Sequence, residues 1–259
     1  MTAPARLLGE VRRARILAWL REEGSARVRA LADAFDVSEV TVRQDLEKLE
    51  ADGHIVREHG GAFLKSVTQQ VRALALQQHE NMDEKRRIGR AAAALVSDGE
   101  TIILDSGSTT TEVAAGLGGR RDMTVITNAL NIALMLGAEP GFDVHMPGGH
   151  FKAPTLSLSG DRSAAYFEGL FAKKLFLATA AIDVDAGLTY PALSDIAVKR
   201  AMIEAADHVY LVADASKIGL RSFTALGGLD LVGTLITDDR IGDADRAAIE
   251  GAGVEVVVA

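Results

Sequence analysis

Residues 37–49 have the sequence VSEVTVRQDLEKL, which predicts an amphipathic helix with a capped start. Ser38 is a good N-cap residue because its hydroxyl can accept a hydrogen bond from an N–H group of the first helical turn. Apolar residues recur at positions 42, 46 and 49 and form one stripe that can pack against a core. The flanks and the far side carry groups that suit a DNA major groove. These candidate DNA contacts are Ser38, Val40, Thr41, Arg43, Gln44 and Lys48.

The neighbouring sequence decides between a DNA-reading helix and an ordinary solvated surface helix. Two shorter helices are predicted before it, at residues 13–22 and 26–35, and a tight connection at residues 36–37 completes a helix-turn-helix. Residues 54–59 alternate between apolar and polar and run into two glycines, which predicts a β-hairpin. Arg57 and His59 on this hairpin are candidates for contacts with backbone phosphates. Together these elements predict a winged helix.

The composition indicates a globular protein of 259 residues with 48% hydrophobic content and no cysteine, so disulfides and thiolate metal sites are excluded. The net charge of −8 is unevenly placed, because the first 65 residues carry 11 basic and 11 acidic residues. A local basic face is therefore possible in that part. The sequence contains neither a signal-peptide pattern nor an apolar run long enough to span a membrane, which predicts a cytoplasmic protein. The histidines lack zinc spacing, so no metal and no cofactor are expected.

Strands alternate with helices from residue 83 onward, which predicts a mostly parallel sheet. Strands are expected at 101–105, 123–127, 142–146, 174–181, 208–213, 231–236 and 254–258. Helices are expected at 83–96, 129–136, 195–206 and 243–251, with a further one starting at Glu112. Polar residues follow many of the strands, at the edge where such sheets bind ligands. They are Asp105, Asn128, Gly148, Gly149, Asp183 and Asp214.

The residues after the first of these strands form a candidate anion site. Ser106, Gly107, Ser108, Thr109 and Thr110 are small, mostly hydroxylated, and lie between a strand and a helix. N–H groups and the positive end of a helix converge at such a loop. The glycine and lysine spacing of a nucleotide P-loop is missing. Two alternatives stay open: the loop can be merely a capped helix start, and Asp105 can either cap that helix or contact a ligand.

The first 62 residues resemble the DNA-binding domain of the DeoR family of bacterial transcriptional regulators. The matching residues occur in the same order and spacing, and they are Leu31–Ser38, Thr41–Leu49, Gly53 and His59–Ala62. Relatives usually have two adjacent arginines where this chain has Arg43 and Gln44. Because glutamine pairs in a bidentate manner with adenine, this difference implies a changed operator sequence.

The second half is similar to the sensor domain of the same family, whose fold is related to ribose-5-phosphate isomerase and CoA transferases. Matching motifs include residues 105–110, 127–128, 148–149, 182–183, 187–189, 199–203, 213–214, 216–217 and 235–238. The resemblance implies that Ser106–Thr110 hold the phosphate of a phosphorylated sugar, and that Asn128, Gly149, Asp183 and Lys217 face the sugar. Lys217 could equally be a surface lysine, and Asp183 could equally form a turn. Ala181 and Asp195 replace the family's usual glycine and glutamate.

We therefore expect an α/β protein with a winged helix-turn-helix at residues 1–62, a linker at 63–82 and an effector-sensing domain at 83–259. The resemblance implies a repressor that binds double-stranded operator DNA as a homo-oligomer, at least a dimer, and is released by a sugar phosphate. The alternative is a sugar-phosphate isomerase with an appended DNA-binding domain. Isomerisation needs a positioned general base, and the acidic loop of the isomerases is missing, so no enzymatic activity is expected.

Overall fold

The structure is a computed structural model that describes residues 9–23, 25–51, 55–58, 61–64 and 80–259. The chain divides into two compact units, residues 1–75 and 76–259. Within the described residues, no helix is long and apolar enough to cross a membrane. The same residues contain no group of histidine, aspartate and glutamate side chains that could hold a metal ion.

The first unit has the helices and strands of a winged helix. Its helices are α1 (Gly9–Glu23), α2 (Val28–Phe35) and α3 (Glu39–Ala51), and its strands are β1 (Ser25–Arg27), β2 (Ile55–Glu58) and β3 (Gly61–Leu64). The strands form an antiparallel sheet in the order β1-β3-β2. The predicted hairpin is therefore confirmed, and β1 is an additional strand that pairs with it.

The apolar stripe predicted for α3 is buried. Val42 and Leu46 are fully buried and Leu49 nearly so, and they share one core with Ile16 and Leu20 of α1. Trp19 packs its ring edge-on against Phe35, with ring centroids 6.1 Å apart, at the border of this core. The core fixes which face of α3 remains outside.

The second unit is built on a seven-stranded parallel sheet in the order β15-β14-β12-β9-β4-β5-β6. Its strands are β4 (Thr101–Leu104), β5 (Met123–Thr127), β6 (Phe142–His145), β9 (Ala172–Leu177), β12 (Ala206–Val212), β14 (Thr234–Thr237) and β15 (Glu255–Val258). In every strand of this sheet except the edge strand β6, residues enter two different cores; in β4, Ile102 and Leu104 belong to one, and Ile103 belongs to the other. Both faces are therefore covered, as is usual for a parallel sheet.

Six helices accompany this sheet in the described part of the second unit: α4 (Met82–Ala94), α5 (Ser108–Gly116), α6 (Leu130–Gly137), α7 (Asp161–Ala165), α8 (Ser194–Glu204) and α9 (Asp243–Gly251). Three short 3-10 helices lie at Ala153–Thr155, Ala215–Lys217 and Leu229–Leu231. Strands β7 (His150–Lys152) and β8 (Ser157–Ser159) pair as a hairpin. Strands β10 (Ala181–Asp183), β11 (Gly187–Tyr190) and β13 (Thr224–Gly227) form a separate antiparallel sheet.

Several predictions of local structure were wrong. The strand expected at 231–236 begins only at Thr234, after a 3-10 helix at Leu229–Leu231, and the first two residues of the helix expected at 26–35 belong to β1. The strand expected at 174–181 ends at Leu177, and Asp183 closes β10 in the small antiparallel sheet instead of following a strand of the main sheet. The helix expected from Glu112 begins at Ser108, so the hydroxyl-rich residues are its first turn. Most of the proposed linker, residues 65–79, lies outside the described part of the chain.

Candidate functional site

The start of α3 is capped as its sequence predicts. The Thr41 N–H donates to Ser38 Oγ over 3.2 Å, and the two hydroxyl oxygens are 2.9 Å apart. Because the cap and the buried stripe fix the rotation of the helix, the side chains on the face opposite the stripe point outward. Val40 is 61% exposed, and the side chains of Arg43, Gln44 and Lys48 are exposed as well. These predicted DNA contacts therefore share one accessible surface, which we call the α3 surface.

Arginines near the α3 surface are already paired within the chain. Arg43 contacts Glu39 one turn earlier, with 2.6 Å between Nη2 and Oε2. Arg57 of β2 lies 3.1 Å from Glu47 of α3, and its backbone N–H donates to Glu50 over 3.0 Å. The Arg57 guanidinium also lies 4.0 Å from Glu50, so it is positioned beside α3 with its charge partly balanced by two carboxylates. His59 lies outside the described residues.

A buried carboxylate that the sequence reasoning missed holds α3 in place. Asp45 is 3% exposed, and its Oδ2 lies 2.5 Å from Nε of Arg12 in α1. Its other oxygen lies 3.4 Å from Nη1 of Arg13. The available signal was the position of Asp45 directly beside the apolar stripe, where an acidic residue needs a partner. This contact orients the helix that carries the candidate DNA contacts.

The anion loop has donors that the protein itself does not use. The first backbone bond of α5 runs from the Thr111 N–H to the Gly107 carbonyl over 3.0 Å, and the hydroxyls of Thr110 and Thr111 donate to that same carbonyl. The N–H groups of the preceding turn have no acceptor within the helix. Among the described residues, the hydroxyls of Ser106, Ser108 and Thr109 form no hydrogen bond. The loop can therefore donate several hydrogen bonds to one anion.

Asp105 supports this loop from a fully buried position. Its Oδ2 accepts from the Ala178 N–H over 3.1 Å and from the ammonium of Lys199, which lies on α8. The Lys199 ammonium also lies 4.6 Å from the ring centre of Tyr190. Burial, followed by the charge of Asp105, raises the pKa of Tyr190 well above its ordinary value. Gly107 is the N-cap of α5, so Asp105 does not cap that helix.

Lys199 and Tyr190 were not among the predicted site residues. Lys199 is 5% exposed and sits between Val198 and Met202, both fully buried on α8. A lysine inside the apolar stripe of a helix is a recognisable signal, because a buried ammonium needs a carboxylate partner. Its partner could not be identified from the sequence, since it lies 94 residues away.

Asn128 and Gly149 are both held by close contacts. Asn128 is 2% exposed, and its amide nitrogen donates to the Leu158 carbonyl over 3.1 Å. Its carbonyl oxygen is buried and has no partner among the described residues. Gly149 has a φ of 144°, and a Cβ there would lie 2.1 Å from Ser163 Oγ. Asn128 is therefore buried with one unused acceptor, whereas Gly149 is exposed but leaves no room for a side chain.

Asp183 is engaged in a turn and an exposed ion pair. Its Oδ1 accepts from the N–H groups of Asp185 and Ala186, over 2.9 and 2.7 Å, and its Oδ2 lies 2.7 Å from Nε of Arg221. The hydrogen bond from Arg221 is the largest cause that lowers the pKa of Asp183 to about 2. These contacts are those of the turn-forming alternative, and within the described part of the chain the Asp183 carboxylate forms no hydrogen bond with the anion loop.

Lys217 ends the 3-10 helix Ala215–Lys217, which follows β12. Among the described residues its ammonium forms no ion pair, so its charge is available to an anion. Asp214 in the same segment is 1% exposed. Lys85 of α4 is buried nearby; its pKa is lowered mainly by burial, which the charge of Asp214 partly opposes.

The sheet order brings several of these residues to one edge. Strands β12, β9, β4 and β5 are neighbours, so Asp214, Ala178, Asp105 and Asn128 follow adjacent parallel strands. Neighbouring strands are about 4.8 Å apart. The anion loop continues from the strand that ends at Asp105. A ligand of a few carbon atoms with a phosphate could therefore contact several of these strand ends at once.

Known protein families match both units. The DeoR-like helix-turn-helix domain matches residues 12–68, and the DeoR C terminal sensor domain matches residues 80–239. An HTH-type transcriptional regulator GlpR from Haloferax volcanii is 34% identical over 97% of this chain and 98% of its own length. A putative aga operon transcriptional repressor from Escherichia coli O157:H7 is 32% identical over 95% and 93%. A ribose 5-phosphate isomerase from Methanocaldococcus jannaschii is a structural neighbour with 16% identity over 54% of this chain, 55% of its own length and a TM-score of 0.40.

Proposed function

The chain belongs to the DeoR family of transcriptional regulators, and we propose that it is a repressor that a phosphorylated sugar releases from its operator DNA. The α3 surface is the observation that supports DNA binding. The Ser38 cap and the buried stripe fix the orientation of α3, and this orientation exposes guanidinium, amide and ammonium groups. Such groups read base edges and hold phosphates in the major groove.

The unused donors of the anion loop support an anionic effector. A phosphate accepts hydrogen bonds from N–H groups and hydroxyls, both of which this loop offers. Asp105 and Asn128 follow neighbouring strands, and each has one buried side-chain oxygen without a hydrogen-bond partner among the described residues. Sugar hydroxyls are suitable donors for these oxygens. A sugar phosphate combines the two requirements. Lys217 would add a positive charge, whereas Asp183 keeps its predicted role only if its ion pair with Arg221 opens.

In the proposed mechanism, two copies of the α3 surface read two half-sites of an operator, which requires at least a dimer. Binding of the effector favours an arrangement of the chain with lower operator affinity. A coupling of about 1–3 kcal/mol would weaken operator binding about 5- to 150-fold. Light scattering at micromolar concentration tests the dimer, and a monomer that still binds the operator would contradict it. A cytoplasmic location stays a prediction.

A gel-shift titration tests the proposal as a whole. The DNA is the fragment upstream of the protein's own gene, with unrelated DNA as control, and ribose 5-phosphate, fructose 6-phosphate, glucose 6-phosphate, galactosamine 6-phosphate and glycerol 3-phosphate are added in turn. We expect one of them to weaken a specific band. Arg43→Ala should lose discrimination between the two DNAs, worth about 1–3 kcal/mol. The double variant Ser106→Ala and Ser108→Ala should bind DNA normally and lose the response.

We also propose that the sensor unit binds its ligand without converting it. Relatives carry the names of regulators, and Asp105, the buried carboxylate at the anion loop, is already engaged by Lys199. A general base must be free to take a proton from the substrate. An isomerase assay with ribose 5-phosphate and glucose 6-phosphate tests this point, and turnover that Asp105→Asn abolishes would establish the isomerase instead.

A further inference from the structure

Asn81 ties the first helix of the sensor unit to the edge of the sheet. It immediately precedes α4 and has the left-handed conformation, with a φ of 55°. Its side chain does not cap the helix. Instead, its amide nitrogen lies 3.1 Å from Asp214 Oδ1 and 3.4 Å from Ser216 Oγ, and its amide oxygen accepts from Arg240 over 3.0 Å. The amide nitrogen of Asn81 thus contacts the loop that follows β12, and its amide oxygen contacts the loop that follows β14.

Arg240 completes a network among these three segments. Its Nε lies 2.7 Å from Asp238 Oδ1, and Asp238 Oδ2 accepts from the Ala215 N–H over 2.8 Å. Arg240 also lies 3.5 Å from Glu84 in the first turn of α4. A displacement of the loop after β12 therefore changes contacts that hold the start of α4.

The two oxygens of Asp214 are used very unequally. Oδ1 accepts from the Ser216 N–H over 3.2 Å, from the Ser216 hydroxyl and from Asn81. Oδ2 is buried and has no hydrogen-bond partner among the described residues. The hydroxyl of Thr237, at the end of the neighbouring strand β14, is also buried without a partner there. A buried carboxylate oxygen without a hydrogen-bond partner is energetically costly, and a donor from a bound ligand would remove this cost.

We propose that Asp214 relays effector binding to the start of α4: Oδ2 accepts a hydrogen bond from a sugar hydroxyl, while Oδ1 holds Asn81. A new donor on Oδ2 draws the carboxylate away from the donors on Oδ1, so the hold on Asn81 weakens. Residues 65–79 join this point of the chain to the winged helix, so the first turn of α4 is where an effector signal enters that segment. The inference rests on the proposed sugar-phosphate effector and adds Asp214 and Asn81 to it.

Two variants of the full-length protein separate binding from relay. Asp214→Asn replaces an acceptor in the effector contact, so the affinity for the sugar phosphate should fall about tenfold or more. Asn81→Gly removes the side chain but keeps a residue that favours the left-handed conformation. It should bind the sugar phosphate within about twofold of wild type, because the ligand contacts themselves are unchanged.

The matched control is Asp239→Asn. This change removes the negative charge from the 2.7 Å ion pair between Arg87 of α4 and the loop after β14, without touching Asp214. It therefore loosens the same helix by a route outside the relay. A second relay variant, Arg240→Gln, removes the guanidinium that contacts Asn81, Asp238 and Glu84 and lies 3.9 Å from Asp214 Oδ1.

The ligand is chosen first: of the five phosphorylated compounds named above, it is the one that shifts the thermal unfolding of wild type most. Operator affinity is then measured by gel shift with and without this ligand. In wild type, the sugar phosphate should weaken operator binding about 5- to 150-fold. Asn81→Gly and Arg240→Gln should reduce this change to less than about twofold, whereas Asp239→Asn should retain it. Thermal unfolding of each variant without ligand verifies that it is folded.

Each other result counts against the relay. A wild-type protein that no sugar phosphate affects would overturn both the proposed function and the relay. A normal response in Asn81→Gly, or wild-type affinity in Asp214→Asn, would overturn the relay alone. Equal loss of response in Asp239→Asn would show that any loosening of α4 is enough to abolish the response. Loss of ligand binding in Asn81→Gly would place Asn81 in the ligand site. Both results contradict the relay.

Discussion

Lys199 and Asp105 form an ion pair in which both side chains are buried, and this pair joins α8 to the residue that precedes the anion loop. Removing one member of such a pair leaves an uncompensated charge in the interior. The position of Asp105, and with it the start of the anion loop, therefore depends on a helix that begins 89 residues later in the chain.

The Lys199→Met variant should be destabilised by about 3–5 kcal/mol, because it leaves Asp105 charged and unpaired. The double variant Asp105→Asn and Lys199→Met should lose clearly less, since neither residue is then charged. Urea unfolding of wild type, Asp105→Asn, Lys199→Met and the double variant measures the free energy of unfolding. Losses that simply add in the double variant would show that the two side chains are not coupled.

Glu47→Gln should strengthen the binding of all DNA sequences, because it removes the carboxylate 3.1 Å from Arg57, leaves only the longer 4.0 Å contact with Glu50, and makes the guanidinium more available to a phosphate. The salt dependence of binding should steepen by about one phosphate contact. Asp33→Asn is the matched control: it removes the same charge from an exposed site on α2 with no ion pair among the described residues. If both variants change the salt slope equally, Arg57 gains no phosphate contact.

Gly149→Ala should weaken the binding of the sugar phosphate at least tenfold and destabilise the sensor unit by about 1–3 kcal/mol. An added Cβ would lie 2.1 Å from Ser163 Oγ and 2.9 Å from the Ser159 carbonyl, on a backbone that side chains rarely adopt. The neighbouring Gly148→Ala is the control, because no atom of the described residues lies within 4 Å of a Cβ added there. Calorimetric titration and urea unfolding measure both effects. Similar losses in the two variants would contradict this explanation.

The carboxyl group of Asp183 should titrate near pH 2, because the hydrogen bond from Arg221 lowers its pKa to about 2 from the ordinary 3.8. Since the folded pKa lies below the unfolded one, the pair stabilises the protein above about pH 4, and this contribution disappears as the pH falls from 4 towards 2. The pair is exposed, so salt should screen it. A carbon-13 NMR titration of Asp183 in wild type and Arg221→Ala tests this: the pKa should rise in the variant, and an unchanged pKa would exclude Arg221 as the cause.

The winged helix was predictable because its signals are local. The Ser38 cap, the stripe at Val42, Leu46 and Leu49, and the alternation before Gly61 each lie within a few residues, and the structure contains all three features. The alternation of strands and helices likewise predicted the parallel sheet. Errors occurred at boundaries: the helix after the anion loop begins at Ser108, and Asp183 lies in another sheet.

The sequence by itself determined the elements, since hydrophobic periodicity and capping act over one or two turns of chain. It also determined the family, through motifs of matching order and spacing. Only the tertiary structure decided which side chains meet: Lys199 with Asp105, Asp45 with Arg12, and Asn81 with Asp214. The physical reason is that such pairs depend on strand order and helix packing, which bring together residues that lie from 33 to 133 positions apart.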